Sequence, residues 1–228
     1  MIPRETGAGN RKKSLFTGFV YFRLVNRCGR ARKEGSKDFP LENASVPRQP
    51  ASSTVGKGKD GVMNCIVNVD KNWGIGLKNK LLVSIPADLR FFQSKTKGKV
   101  VIFGRSTLET FPAGKPLKNR VNIIITRNPS YSVPDALVAH SVQEALTFAK
   151  DYDTDDVFII GGASIYRQFL PYCDTAYVTK TDYCFDADTY FPNLDEDPEW
   201  ECVDEGEEQT CYDIEFRFTK YVRVKQPE

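Results

Sequence analysis

From Met63 onward the sequence predicts an α/β fold. It is a single domain with a central, mostly parallel sheet, an antiparallel C-terminal edge and flanking helices. Three observations predict this. Short apolar runs alternate with segments of helical spacing. The last run alternates residue by residue, as a hairpin strand does. The chain also changes character near Gly61-Val62-Met63, so the pattern belongs to residues 63–228. Strands that alternate with helices need crossover connections, and these keep the strands parallel.

The elements run in order along the chain. Asn64-Cys65-Ile66-Val67-Asn68-Val69 reads as a buried strand. Trp73 to Ser84 reads as a loop, in which Gly74 and Gly76 permit backbone angles that other residues avoid. A helix then starts, with Ser84 as candidate cap, Pro86 in the first turn and Asp88 favoured by the helix dipole. It fades at Lys97-Gly98. Val100 to Phe103 is a second strand, closed by Gly104, and Arg105 to Glu109 starts a helix. Pro112 to Asn119 is a loop. Val121 to Thr126 is a third strand and Leu137 to His140 a short fourth. Val142, Ala145, Leu146 and Ala149 have helical spacing. Val157 to Ile160 is a fifth strand, ending in Gly161-Gly162, and Ser164 to Leu170 is the next helix. Thr175 to Lys180 is a sixth strand. Trp200 to Glu205 and Tyr212 to Arg223 are the last two.

Composition narrows the function. No apolar run is long enough to span a membrane; Leu15 to Val25 is broken by Thr17, Gly18 and Arg23. The chain has one His, His140, and six Cys with no metal-ligand spacing, so no metal site is expected. The thiols read as reduced. Residues 1–62 carry 13 Lys+Arg against 5 Asp+Glu, while the remainder carries 19 against 25. This basic first part reads as a disordered extension, with Pro47 to Asp60 as linker. Three readings of it stand: an organelle-targeting peptide, a nucleic-acid or partner tail, or a spurious extension before the true start at Met63. The third is preferred. The domains are then 1–62 and 63–228.

Three features carry candidate chemistry. Asp88 is the only acidic residue between Leu81 and Phe92. It is either a dipole-serving Asp or a carboxylate held in an apolar cleft. Gly104-Arg105-Ser106-Thr107 and Gly161-Gly162-Ala163-Ser164 each succeed a strand and open a helix. Such junctions offer free N–H groups and a positive dipole end to phosphate. Two of them at the carboxyl ends of one sheet suggest a dinucleotide; simple tight packing is the plain alternative. Arg105 and Arg127 suit a phosphate monoester, or are solvated loop cations.

At this point the residues resemble a known family. Ile66-Val67, Trp73-Gly74-Ile75-Gly76, Ile85-Pro86-Ala87-Asp88-Leu89 with Phe92, Gly104-Arg105-Ser106-Thr107, and Pro116 to Arg120 stand in family order. Ile123 to Arg127, Ile160 to Tyr166, Thr179, and Asp188-Thr189-Tyr190-Phe191-Pro192 continue it. Residues 63–224 resemble dihydrofolate reductase of the bacterial type.

The resemblance implies an eight-stranded sheet, NADPH as hydride donor and 7,8-dihydrofolate as substrate, reduced at C6 and protonated at N5. It implies that Asp88 is the catalytic carboxylate and holds the pterin edge. Ile66, Val67, Leu81, Leu89, Phe92, Thr110, Phe111 and Leu117 would wall the substrate. Arg120 would pair with its glutamate carboxylate, and Thr179 would support Asp88. Asn68, Ile75, Gly76, Gly104, Arg105, Ser106, Thr107, Ile125, Thr126 and Arg127 would hold NADPH. So would Ile160, Gly161, Gly162, Ala163, Ser164, Ile165 and Tyr166, with a cis peptide expected at Gly161-Gly162. A cytoplasmic monomer, a target of antifolate inhibitors that binds neither nucleic acid nor membrane, is the implied setting. His140 is expected near the adenosine end and outside the chemistry.

The chain departs from the family at two places. Leu81-Leu82-Val83 stands where the family usually reads Leu-Pro-Trp. Val83 cannot donate a hydrogen bond, so water beside the carboxylate is held differently. Asn68 replaces a small residue, usually Ala. Two rival classes stand beside this reading: a reductase of another pterin-like or pyrimidine substrate, against which Arg120 argues, and a non-enzymatic binder.

Overall fold

The computed structural model describes residues 63–224. The reading of residues 1–62 as a disordered extension lies outside the described residues.

The apolar runs became strands because each buries both faces. Strand β1 is Met63–Val69, β4 Val100–Gly104, β5 Val121–Ile125 and β7 Val157–Gly161. Successive side chains of a strand point to opposite faces. Val100, Ile102, Ile123, Val157 and Ile159 therefore join one core, with Cys65 and Val67 of β1. Val101, Phe103, Ile124, Phe158 and Ile66 join the other. Two-faced burial of this kind is what a parallel sheet covered by helices requires.

The helices sort by face. Helix α1 is Pro86–Thr96 and α2 is Arg105–Thr110. Phe91, Phe92 and Leu108 carry them onto the second core. Helix α3 is Val142–Ala149 and α4 is Ala163–Phe169. Ala145, Ala149, Ile165 and Phe169 pack into the first core.

With β2 Gly74–Leu77, β3 Lys80–Leu81, β6 Leu137–Ala139, β8 Cys173–Thr181 and β9 Thr189–Tyr190, the C-terminal strands complete the order. These are β10 Trp200–Glu205, β11 Gln209–Cys211 and β12 Ile214–Arg223. The continuous sheet runs β10-β12-β8-β1-β7-β4-β5-β6, with β11 paired to β12 beyond that path. Strands β8, β1, β7, β4, β5 and β6 are parallel, while β12 and β10 form the antiparallel edge. The expected eight strands are the continuous path; β11 is a short addition.

Three local readings change. The stretch from Trp73 to Ser84 is not only loop. It holds β2 and β3, which with β9 form a second, three-stranded sheet. Lys78 and Asn79 turn between them with φ of 51° and 59°, the left-handed pair of a tight hairpin turn. Gly74 and Gly76 are not left-handed. A Cβ on Gly74 would lie 2.8 Å from Ala187 Cβ, and one on Gly76 would lie 3.0 Å from the Lys80 carbonyl oxygen. Close approach, not backbone angle, demands them. Ser84 does not cap α1: the cap position is Ile85, without a side-chain hydrogen bond, and Pro86 opens the helix.

Candidate active site

Strand order places the site. The parallel strands run outward through β4, β5 and β6; then β7 returns between β4 and β1, and β8 lies on the other side of β1. Ligand crevices of open α/β sheets form where the order reverses, beyond the carboxyl ends of the strands. A cleft of about 1130 Å³ lies there.

Every residue expected to hold the cofactor lines this cleft. Asn68 comes from the end of β1, Ile75 and Gly76 from β2, and Ile125, Thr126 and Arg127 from the end of β5. Gly104 to Thr107 and Ile160 to Tyr166 supply the two glycine-led junctions. No side chain caps α2 at Gly104 or α4 at Gly162, so first-turn N–H groups stay available. Gly161 has φ of +115°, and a Cβ there would sit 3.1 Å from the Tyr166 ring. Tyr166 is buried, and its hydroxyl donates to the Ile66 carbonyl at 2.7 Å. The bond ties the second junction to β1. Burial raises the Tyr166 phenol well above its ordinary value, so it stays a neutral donor. The Gly161-Gly162 peptide is cis.

The two arginines differ. Arg105 Nη1 donates to Glu109 Oε1 at 2.5 Å, one turn along α2. Arg127 is exposed and makes no ion pair among the described residues.

The residues expected at the substrate divide into two groups. Val67, Leu81 and Thr110 line the cleft. Ile66, Phe92, Phe111 and Leu117 meet in the second core cluster. Leu89 is half-buried on α1. Arg120 donates from Nε to Thr96 Oγ1 and from Nη1 to the Lys118 carbonyl, both at 2.9 Å. Its guanidinium carbon lies 5.6 Å from the centre of the Phe92 ring. Nη2 keeps no protein partner among the described residues.

Asp88 sits in the first turn of α1 and faces β8. Thr179 Oγ1 donates to Asp88 Oδ1 at 2.6 Å. Burial raises the Asp88 carboxyl above its ordinary value; the Thr179 hydroxyl and the nearby Asn68 amide pull it down, and burial wins. Asn68 approaches the carboxylate outside hydrogen-bonding geometry, so its Nδ2 has no partner. A carboxyl held this way favours a cationic partner or a shared proton, since its charged form is short of solvation.

Several site residues escaped the sequence reading. Asn79, Lys80, Asn128, Tyr131 and Gln168 line the cleft. His140, expected near the adenosine end, lines it too, and its Nδ1 lies 3.1 Å from the Thr126 carbonyl oxygen. Asp70, buried, holds the approach to the site. Its Oδ1 accepts from Asn72 N and Gly74 N at 2.9 and 2.7 Å, and its Oδ2 accepts from Phe185 N at 2.9 Å. Asp188 Oδ2 accepts from Lys78 N at 2.8 Å. An Asp followed by turn residues was the available signal for Asp70; its bond to Phe185 had none.

Comparison with known proteins agrees with this arrangement. Residues 62–223 match the family model of dihydrofolate reductase. A dihydrofolate reductase of Staphylococcus haemolyticus is 35% identical over 71% of this chain and 96% of its own length. One from Haemophilus influenzae is 37% identical over 66% and 93%. The solved structure of dihydrofolate reductase from Enterococcus faecalis, complexed with NADP(H) and RAB-propyl, superposes with a TM-score of 0.64. It shares 33% identity and covers 73% of this chain and 98% of that one. Switch-point cleft, paired glycine junctions and the Thr179-supported carboxylate together accord with that match across the described domain: this chain belongs to the dihydrofolate reductase family.

Proposed function

We propose that this chain reduces 7,8-dihydrofolate to 5,6,7,8-tetrahydrofolate with NADPH, and that Asp88 is its catalytic carboxylate. The observation that carries the reading is one half-buried carboxylate, hydrogen-bonded to Thr179, beside a cleft opened by two glycine-led helix starts.

The cleft fits the cofactor. First-turn N–H groups at Gly104 and Gly162 are unclaimed by side-chain caps, and such groups suit a pyrophosphate. A side chain at Gly161 would collide with Tyr166, so the backbone itself forms that wall. Arg105 and Arg127 follow the carboxyl ends of β4 and β5 and line the cleft, and guanidinium groups there suit a 2′-phosphate. NADPH, when bound, supplies the hydride that C6 of the pterin accepts.

The residues of the chain orient and charge the substrate. The Asp88 carboxylate accepts from the amidine-like edge of the pterin and favours its form protonated at N5. Thr179 keeps the carboxylate turned toward that edge. Phe92, Phe111 and Leu117 offer apolar wall to the rings, and the free Nη2 of Arg120 meets the carboxylate of the substrate tail. Leu81 and the β2–β3 hairpin close over the reacting atoms and keep bulk water out.

Both halves of the site belong to one chain, which supports a monomer as the working unit. Among the described residues no helix is long and apolar enough to cross a membrane. The free thiols of Cys184 and Cys202 are exposed, which supports a reducing compartment such as the cytoplasm. The direct test is the fall in NADPH absorbance on adding dihydrofolate, and its arrest by a diaminopyrimidine antifolate. No absorbance change with purified, folded protein would overturn the reading.

A further inference from the structure

Asn68 carries a feature that the catalytic reading leaves unused. Its Nδ2 is a buried donor with no partner among the described residues. Such groups are rare in folded proteins, because an unpaired buried donor has lost its water without replacement. The other orphan, Trp200 Nε1, lies near the Arg223 guanidinium and away from the cleft.

The neighbours of Asn68 fix where the orphan points. In the parallel ladder of β1 and β8, Asn68 is the register partner of Thr179. Thr181 is two residues on and therefore on the same face. Thr181 Oγ1 donates to Asn68 Oδ1 at 3.0 Å, and Nδ2 lies on the other side of the amide. Thr179 donates to Asp88 Oδ1. Asp88 Oδ2 has no protein donor among the described residues. One unclaimed acceptor and one unclaimed donor thus stand beside the same threonine pair.

We propose that Asn68 is a positioning residue for Asp88: its unpaired Nδ2 is the donor available to the carboxylate oxygen that Thr179 leaves open, and by turning to that oxygen when the carboxyl ionises it holds the carboxylate in one orientation. This role deepens the catalytic reading and rests on it for its purpose, but not for its test. It also accounts for an Asn where a small apolar residue would fill the space, beside a Val83 that offers no donor of its own.

The groups around the carboxylate make the effect readable. Thr179 faces it from β8 and Asn68 from β1, and Tyr166 on α4 feels its charge. No cation pairs with it among the described residues. A lost neutral donor therefore changes its titration without competition from an ion pair.

The experiment tracks the Asp88 carboxyl carbon by NMR through a pH titration of the full chain without ligands, using Asp88→Asn to assign the signal. Asn68→Leu keeps the branching at Cγ and removes the donor. Its Asp88 midpoint is expected to move to higher pH than in the parent, and Asn68→Gln, which restores an amide, is expected to return it toward the parent. Thr181→Val removes only the hydroxyl that orients the amide and is expected to shift the midpoint in the same upward direction. Binding of NADPH to Asn68→Leu, read by quenching of protein fluorescence, is followed beside the titration. Midpoints unchanged in both Asn68→Leu and Thr181→Val would overturn the proposal. So would an unmoved midpoint with weakened NADPH binding, which would make Asn68 a cofactor contact. An enzyme inactive on dihydrofolate would overturn the catalytic reading while this titration still reported on Asn68.

Discussion

Thr179 and Asp88 lie 91 positions apart and meet at 2.6 Å, hydroxyl to carboxylate. The bond joins the first turn of α1 to the carboxyl end of β8. It sets the orientation of the one acidic side chain in an apolar stretch, and it only partly offsets the burial that raises this carboxyl.

Asp88→Asn is therefore expected to separate catalysis from stability. Turnover at neutral pH should fall by at least about 10²-fold, the usual loss on removing acid–base assistance. Lower pH should recover part of it, since more substrate arrives protonated at N5. The stability effect has the opposite sign. A carboxyl raised in the folded state favours folding most below its ordinary value of 3.8 and loses that advantage as pH rises through the folded value. At neutral pH the Asn protein should melt no lower than the parent, and any gain should vanish in acid. Paired pH–rate and melting series read both. A variant that melts early but turns over normally would make Asp88 a structural residue.

Cofactor choice is expected to turn on Arg105 and its neighbour Glu109. An exposed pair one helical turn apart contributes only about 0.3–0.5 kcal/mol. A charge-assisted bond to phosphate contributes about 1.5–3 kcal/mol, so Arg105 should leave Glu109 for a 2′-phosphate. Arg105→Ala should raise the KM for NADPH by roughly tenfold or more and leave that for NADH nearly unchanged. Glu109→Gln should lower the KM for NADPH slightly. Equal effects on both cofactors would remove Arg105 from the phosphate site.

Acid stability should depend on Asp195. Burial pushes its carboxyl up, but hydrogen bonds from Lys180 and Tyr221 outweigh it and leave the group below its ordinary value. Lys180 Nζ reaches its two oxygens at 2.9 and 2.7 Å, and the Tyr221 hydroxyl donates at 2.6 Å. A depressed carboxyl contributes stability above 3.8 that is lost as pH falls through the lower folded value. Asp195→Asn should lower the melting temperature at neutral pH, and the two melting curves should converge in acid. Because Lys180 also lies 5.5 Å from the centre of the Trp73 ring, the loss should loosen the start of the β2 segment, read as faster amide exchange at Gly74.

A chain begun at Met63 is expected to keep its turnover, and its melting temperature should move by no more than a few degrees. The family match covers residues 62–223, and the described residues, which begin at Met63, form two core clusters among themselves. Activity and calorimetry of the shortened chain decide the matter. A large loss in either would show that the first 62 residues take part in the fold.

Architecture was legible in the residues alone, and so were the two glycine-led junctions that line the cleft. Runs such as Val100 to Phe103 are apolar at every position, and a strand covered on both faces uses such a run. The glycines at 104, 161 and 162 marked the strand-to-helix junctions, because the residues that make such a turn are neighbours in the chain. Pro86 and Asp88 marked the start of α1 for the same reason. These signals are local, and local signals survive in a sequence read without coordinates.

Features that depend on distant partners emerged only with the folded chain. Folding set Asn68 opposite Thr179, joined Asp70 to Phe185 across 115 positions, and drew the Trp73–Ser84 stretch into a three-stranded sheet by pairing β2 with β9. It also gave Gly74 its reason, the close approach of Ala187, where the sequence suggested only a permissive backbone. Register across a sheet is set by the packing of whole faces, and a hydrogen bond between strands far apart in the chain leaves no periodicity to read.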